Sequence, residues 1–289
     1  MTDNRHGIVL ALLCAFSFGV APAVTRLAYM AGTDVFTASA GRFIAGVVGV
    51  AGLIVLTRGA MRLSARANWG ALGLGVISSI TSLGYMGAIF YIPASMAVLI
   101  FYMFPIVVAF GARWTEGEPI TWVKLVGLVV AFIGLGIALG VTFEGLSPLG
   151  VGLAALASVG AAAHVLAISH VARWAGGATL PISLRSMTVA MVVSVSLLAG
   201  QGGPAWPVGT AGWLGLAGSI LFFTLGITLM YATVARLGPV TTSVILNLEP
   251  LVAIVTAVLL LGEPFGLQQS MGAALVLRAV LWVQLRRRG

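Results

Sequence analysis

The chain has 289 residues, 60% of them hydrophobic and 8% charged, with a formal net charge of +8 and a mean hydropathy of +1.11. That balance lies outside the range of water-soluble domains and specifies an all-α integral membrane protein. The basic residues sit in short connections between apolar runs and build no water-facing basic surface, so nucleic acid is excluded as a partner.

In chain order, apolar runs separated by charged or Gly/Pro breaks predict ten helices, at 7–27, 34–56, 69–91, 94–113, 121–141, 148–171, 180–199, 209–235, 239–261 and 266–285. The leading MTDNRHG opens into a first run that is too long for a signal-peptide core and lacks a small-x-small cleavage pattern, so that helix is expected to be retained. It carries the only cysteine, Cys14, read as a packing residue. The second run contains Arg42, and the third contains Ser78, Ser82 and Tyr85. The fourth has Tyr102 and Pro105, the sixth His164, the seventh Arg185, and the eighth Thr224, Thr228 and Tyr231. The ninth interrupts its apolar pattern with Asn247, Glu249 and Pro250, and the tenth holds Arg278. Tyr91, Trp69, Trp122, Trp206, Trp213 and Trp282 fall near run ends, where interfacial aromatic belts form.

With connections alternating between sides, one side receives Arg5, Arg58, Arg62, Arg66, Arg113, Lys124, Arg173, Arg236, Arg286, Arg287 and Arg288. The other receives only Arg26, and Arg42, Arg185 and Arg278 stay within spans. The positive-inside asymmetry puts both termini in the cytoplasm.

The segment FPIVVAFGARWTEGEP, 104–119, recurs as EPLVAIVTAVLLLGEP, 249–264. Pro105 matches Pro250, Gly117-Glu118-Pro119 matches Gly262-Glu263-Pro264, and Gly127 matches Gly272, all at an offset of 145. The chain is therefore read as a duplication, 1–145 and 146–289. Five helices per copy is an odd number, so the second copy enters the membrane from the opposite side, an inverted repeat of the kind secondary transporters use.

The closing pattern LGPVTTSVILNLEPLVAIVTAVLLLGEPFGLQQSMGAALVL, the related GEP of the first half, Arg42 in the second helix and an echo between Gly7 and Gly150 together carry a family resemblance. Over nearly its whole length the chain resembles the drug/metabolite transporter superfamily, specifically its ten-helix EamA-like members. Length and layout are similar to YddG-type amino-acid exporters. The resemblance implies a carrier of the cell membrane, the inner membrane in bacteria, that exports neutral or aromatic amino acids. Arg278 departs from the small and aliphatic residues usual in the last helix of such proteins. It lies roughly 11 Å from the C-terminal end at 1.5 Å per residue, within snorkelling reach of the headgroups.

Ionisable groups are costly at bilayer depth and tend to face the bundle interior or a watery cavity. Glu249 is the one acid placed near the midplane, and Thr242, Glu249 and Thr256 recur every seven residues along one predicted face. Pro250 has no N–H to return to the Leu246 carbonyl, and Pro105 does the same in the first half. These features mark a substrate site; alternatively the prolines only bend helices and Glu249 pairs with an arginine or caps backbone donors.

The sets Ser78, Ser82, Tyr85 and Thr224, Thr228, Tyr231 share spacings of four and three at an offset of 146, which keeps each on one helix face. With Tyr102 and Asn247 they complete the expected substrate-binding list, the bland alternative being interhelical hydrogen bonds. Tyrosine walls suit a neutral or zwitterionic solute with an apolar side chain. Glu249 and His164 are the proton-relay candidates. Arg42 and Arg185, in the second helix of each half, suggest a shared structural job.

No P-loop is present, so the chain does not hydrolyse ATP, and no HExxH or other metal cluster appears. The expectation is no enzyme activity, no cofactor and no metal, with a small-molecule substrate and the lipid bilayer as partners. One copy of the chain suffices for a site between its own repeats. An exporter of other metabolites or drugs on the same fold is the alternative, and a channel or scaffold is the competing class, which would need no broken, inverted repeats.

Overall fold

The computed structural model describes residues 2–59, 61–117, 119–141, 146–262 and 266–286. Its helices are α1 (Thr2–Met30), α2 (Val35–Leu56), α3 (Ala65–Tyr91), α4 (Ala94–Phe101), α5 (Phe104–Thr115), α6 (Trp122–Leu139), α7 (Pro148–Trp174), α8 (Thr179–Gly200), α9 (Gly209–Leu237), α10 (Pro239–Leu246), α11 (Glu249–Leu261) and α12 (Leu267–Arg286). Among the described residues nine stretches are long and apolar enough to cross a membrane, with Ala94–Thr115 and Pro239–Leu261 each counted as one; Leu267–Val283 is apolar but shorter.

The element ends follow from local chemistry. Asp34, Ser64 and Thr121 accept a hydrogen bond from the backbone N–H three residues on, at the starts of α2, α3 and α6. Pro148, Pro239, Pro105 and Pro250 occupy the first turns of α7, α10, α5 and α11, where a missing N–H costs nothing. The glycine of each GEP triplet ends a helix in the left-handed region, Gly117 at φ 68° and Gly262 at φ 67°. Glu118, Glu263 and Pro264 of those triplets lie outside the described residues, as do Glu144, Arg287 and Arg288.

Substituting each helix by its repeat mate reproduces the packing. α1 lies along α9 as α7 lies along α3, α1 meets α11 as α7 meets α5, and α2 pairs with its own mate α8 as α6 does with α12. The neighbours α1 and α9, and α3 and α7, run in opposite directions. Gly7 at the start of α1 touches Leu237 at the end of α9, and Gly70 near the start of α3 touches Val171 and Trp174 at the end of α7. Because α1 belongs with α9 and α3 with α7, the two sequence halves interleave, and neither packs as a body of its own.

The end of the bundle carrying Arg58, Arg62, Arg66, Arg113, Arg173 and Arg236 is tied together by side chains. The Arg66 guanidinium stands 4.2 Å from the Trp174 ring, Ser64 donates to the Trp174 carbonyl at 3.3 Å, and Glu116 accepts from Ser169 and pairs with Arg173 at 3.5 Å. At this end α3 and α8 come into backbone contact: a Cβ on Gly75 would lie 2.5 Å from the Ser186 carbonyl oxygen. The opposite end is held by Val208 N–H to the Ala31 carbonyl at 2.8 Å, Ala205 N–H to Thr37 Oγ1 at 2.9 Å, Gln268 Nε2 to the Ile137 carbonyl at 3.0 Å and a stacked Trp206–Trp213 pair. Trp69, Trp122, Trp206 and Trp213 are exposed, as is Arg278 on α12.

Candidate functional site

Both proline-bearing spans are interrupted at equivalent places. The α4/α5 span breaks at Tyr102 and Met103, the α10/α11 span at Asn247 and Leu248, and each break is followed by Pro105 or Pro250 in the first turn of the next helix. The turns are closed by short-range bonds such as Met103 N–H to Ile100 and Leu248 N–H to Ile245. α5 and α10 pack against each other, and at this contact the Tyr102 hydroxyl faces the Glu249 carboxylate. Glu249 is the first residue of α11, where unpaired N–H groups favour a negative charge. It remains half-buried, whereas Tyr102 is buried. α1 closes the other side, with a Cβ on Gly19 falling 2.6 Å from the Glu249 carbonyl oxygen.

The interruption also divides the predicted seven-residue face. Thr242 is fully buried and bonds the Gly238 carbonyl at 2.8 Å, and Thr256 bonds Val252 at 2.6 Å, so these hydroxyls serve their own helices on either side of the break. Asn247 is buried and donates to the Ser243 and Val244 carbonyls, capping α10.

Around Tyr102 the first half supplies rings. Tyr85 of α3 meets Phe101 at 5.2 Å between centroids, Phe101 meets Tyr102 at 5.6 Å, and Phe104 contacts both. The sequence-predicted residues Tyr85, Tyr102 and Glu249 are thus brought together, with Asn247 at the adjoining break. The second set disperses. Thr224 reaches the Arg42 carbonyl at 3.5 Å and Thr228 bonds its own helix. Tyr231, 1% exposed, places its hydroxyl 3.2 Å from His164 Nε2, with Ser186 beside it. His164, Tyr231 and Ser186 form a separate buried knot of α7, α9 and α8 towards the arginine-rich end.

A narrow cleft, with room for about one water, lies between α2, α3 and α8 towards the other end. Its hydroxyls are Ser39, Ser79, Ser82 and Ser194, with Phe36 and Phe43 among the walls. Ser82, expected beside Ser78 and Tyr85 in a midplane site, lines this cleft without them. Ser78 is not among the lining residues, and its neighbour Ser79 is. Ser39 and Ser194 were missed, because single serines on helices with no repeat echo carry no signal in the sequence.

The two span arginines differ in their partners. Arg185 gives Nε to Asn68 Oδ1 at 2.5 Å, Nη1 to the Pro181 carbonyl at 3.1 Å and Nη2 to the Met61 carbonyl at 2.8 Å, bracing α8 to α3. Arg42 gives Nε to Ser219 Oγ at 2.8 Å and Nη2 to Thr25 Oγ1 at 2.5 Å, and its guanidinium stands 5.2 Å from the Phe223 ring.

The EamA-like transporter family model matches the chain twice, over residues 5–140 and 148–285. The chain belongs to the EamA-like transporter family. It is accordingly a multi-pass membrane transporter built from two EamA repeats, within the drug/metabolite transporter superfamily that the closing pattern resembles. No curated protein matches this EamA-like chain. Among solved structures 29 chains match; one, described only as "Crystal structure of protein", is 16% identical, covers 98% of this chain and 99% of its own, and superposes with a TM-score of 0.83. At that identity the likeness is one of fold.

Proposed function

We propose that this EamA-like protein is a secondary carrier that exports neutral or aromatic amino acids across the bacterial inner membrane, with both termini in the cytoplasm. The observation that carries the reading is the meeting of two broken helices, with Tyr102 of one facing Glu249 of the other and Tyr85, Phe101 and Phe104 around them. Broken helices at a repeat interface expose backbone groups and a charge to a solute, and the rings supply flat apolar contact. A single chain holds the whole site, and the bilayer is its solvent.

Transport proceeds by alternating access, with moving bodies set by packing rather than by sequence order: α1 travels with α9, and α3 with α7. The backbone contact of Gly75 on α8 closes the arginine-rich, cytoplasmic side, while the α2/α3/α8 cleft lies towards the outer side. Glu249 serves as the substrate-facing acid and carries the proton if transport is proton-linked. His164 sits in the cytoplasmic seal, with no acid bonded to it among the described residues.

The test is counterflow of labelled phenylalanine and leucine in proteoliposomes, with and without a pH gradient, for the parent and Glu249→Gln. Saturable counterflow that responds to the gradient and loses that response in the variant supports a proton-linked carrier. Saturable counterflow indifferent to both makes it a facilitator. Flux that never saturates and shows no counterflow overturns the carrier reading in favour of a channel.

A further inference from the structure

Arg42 and Arg185 occupy the second helix of each repeat, yet only one of them is fully engaged. All three nitrogen positions of Arg185 end on neutral oxygens of α3, α8 and the loop between α2 and α3. Arg42, half-buried and roughly 10 Å along α2 from its start at 1.5 Å per residue, hydrogen-bonds two hydroxyls and stands over an aromatic face, with neutral Tyr29 also near. No carboxylate pairs with it among the described residues, and Asp34 is engaged at the cap of α2, accepting from Thr37 N–H at 2.6 Å.

A guanidinium held inside a bundle without an anion carries its desolvation cost uncompensated, and its planar fork fits a carboxylate. Ser219 and Thr25 fix that fork from one side through Nε and Nη2. Nη1 meets no protein acceptor among the described residues. The surroundings lead to the cleft: Phe223, beneath the guanidinium, meets Phe43 edge-on at 5.4 Å between centroids, and Phe43 lines the cleft with Ser39, Ser79 and Ser82.

We infer that Arg42, oriented by Thr25 and Ser219, is a carboxylate-binding station beside the outer cleft, taking the acid group of the solute as it leaves the midplane. The inference rests on the amino-acid reading above and adds to it a site that Arg185 does not share. The aromatic step from Phe43 to Phe223 lies beside the path of the side chain while the guanidinium holds the carboxylate.

The experiment measures equilibrium binding of labelled phenylalanine, phenylalaninamide and phenylacetate to the purified protein for the parent, Arg42→Gln, Arg42→Lys and Arg185→Gln. In the parent both acids bind more tightly than the amide. Arg42→Gln lowers affinity for both acids by about tenfold or more, as expected for a charge-assisted hydrogen bond, and leaves the amide unchanged. Arg42→Lys keeps the charge without the fork and retains part of the preference; it decides the matter should the glutamine variant fail to fold, and an unaltered preference there overturns the station. Arg185→Gln lowers thermal stability and leaves the acid-to-amide ratio as it was. Equal losses for acid and amide in Arg42→Gln also overturn it. A parent that binds phenylalanine and its amide alike keeps the amino-acid reading and sinks the Arg42 site. One that binds phenylacetate through Arg42 but not phenylalanine does the reverse, and one that binds none of the three sinks both.

Discussion

The two broken helices have one backbone and two chemistries. In each, eight residues of helix are followed by a two-residue break and a second helix with proline in its first turn, at positions 145 apart. The residues filling the first break region are Tyr102, Met103 and Phe104; in the second they are Asn247, Leu248 and Glu249. Duplication kept the punctuation, because proline and glycine dictate backbone and any copy without them would fold differently. Side chains at the same positions were left to diverge, so that one copy supplies the wall and the other the charge. The same divergence separates Arg42 from Arg185, and the α3–α8 crossing, where Gly75 lets backbone meet backbone, from its mate between α2 and α9, where Ile220 and Phe223 face Gly41 and Phe43.

Exchanging mates tests this division of labour. The largest effect is expected at the break: Glu249→Leu removes a charged hydrogen-bonding group worth about 1.5–3 kcal/mol and lowers the initial counterflow rate by roughly ten- to a hundredfold. Phe104→Leu, at the mate position, keeps an apolar wall and stays within about fivefold, since an apolar-for-apolar change of similar size costs on the order of 1 kcal/mol. Equal losses in the two variants would remove the distinction between wall and charge. The next effect is at the crossings. Gly75→Ala pushes a methyl group into the Ser186 carbonyl and Val189, and is expected to cost about 1–3 kcal/mol in thermal unfolding. Gly41→Ala meets only the flexible Ile220 tip at 3.3 Å, and is expected to stay within about 0.5 kcal/mol.

What the sequence made legible is what local chemistry dictates. Apolar runs separated by short breaks, prolines at 105 and 250, and glycines at 117 and 262 are each readable one residue at a time, and they account for the helices, their interruptions and the duplication. Partnerships across the bundle were not readable in that way. Ser78, Ser82, Tyr85 and Thr224, Thr228, Tyr231 look like one constellation twice, because spacing reports a shared face but not what the face meets. Tyr85 faces a broken helix lined with rings, whereas Tyr231 faces the His164 of α7 and the Ser186 of α8. Likewise the echo of Arg42 in Arg185 suggested one job, and the difference appears only when Asn68 and Met61, more than a hundred positions away, are seen to reach Arg185.

The tyrosine mates give the smallest effect and the sharpest check on that point. Tyr231→Phe removes a hydroxyl whose partners, His164 and Ser186, are themselves buried and find no water to replace it, so the variant is expected to lose about 1 kcal/mol of stability, seen as a lower melting temperature. Tyr85→Phe keeps the ring contact with Phe101 and gives up no hydrogen bond recorded among the described residues, so stability is expected to hold within about 0.5 kcal/mol. Solute binding is expected to reverse the ranking: on the proposed reading the Tyr85 ring lines the solute site and alters affinity when its hydroxyl is lost, whereas Tyr231, sealed in the buried knot towards the arginine-rich end, does not. If instead Tyr231→Phe weakens phenylalanine binding as much as Tyr85→Phe does while leaving the melting temperature unchanged, then the His164 knot opens to solute, and the seal proposed for the arginine-rich end must be sought nearer to Gly75.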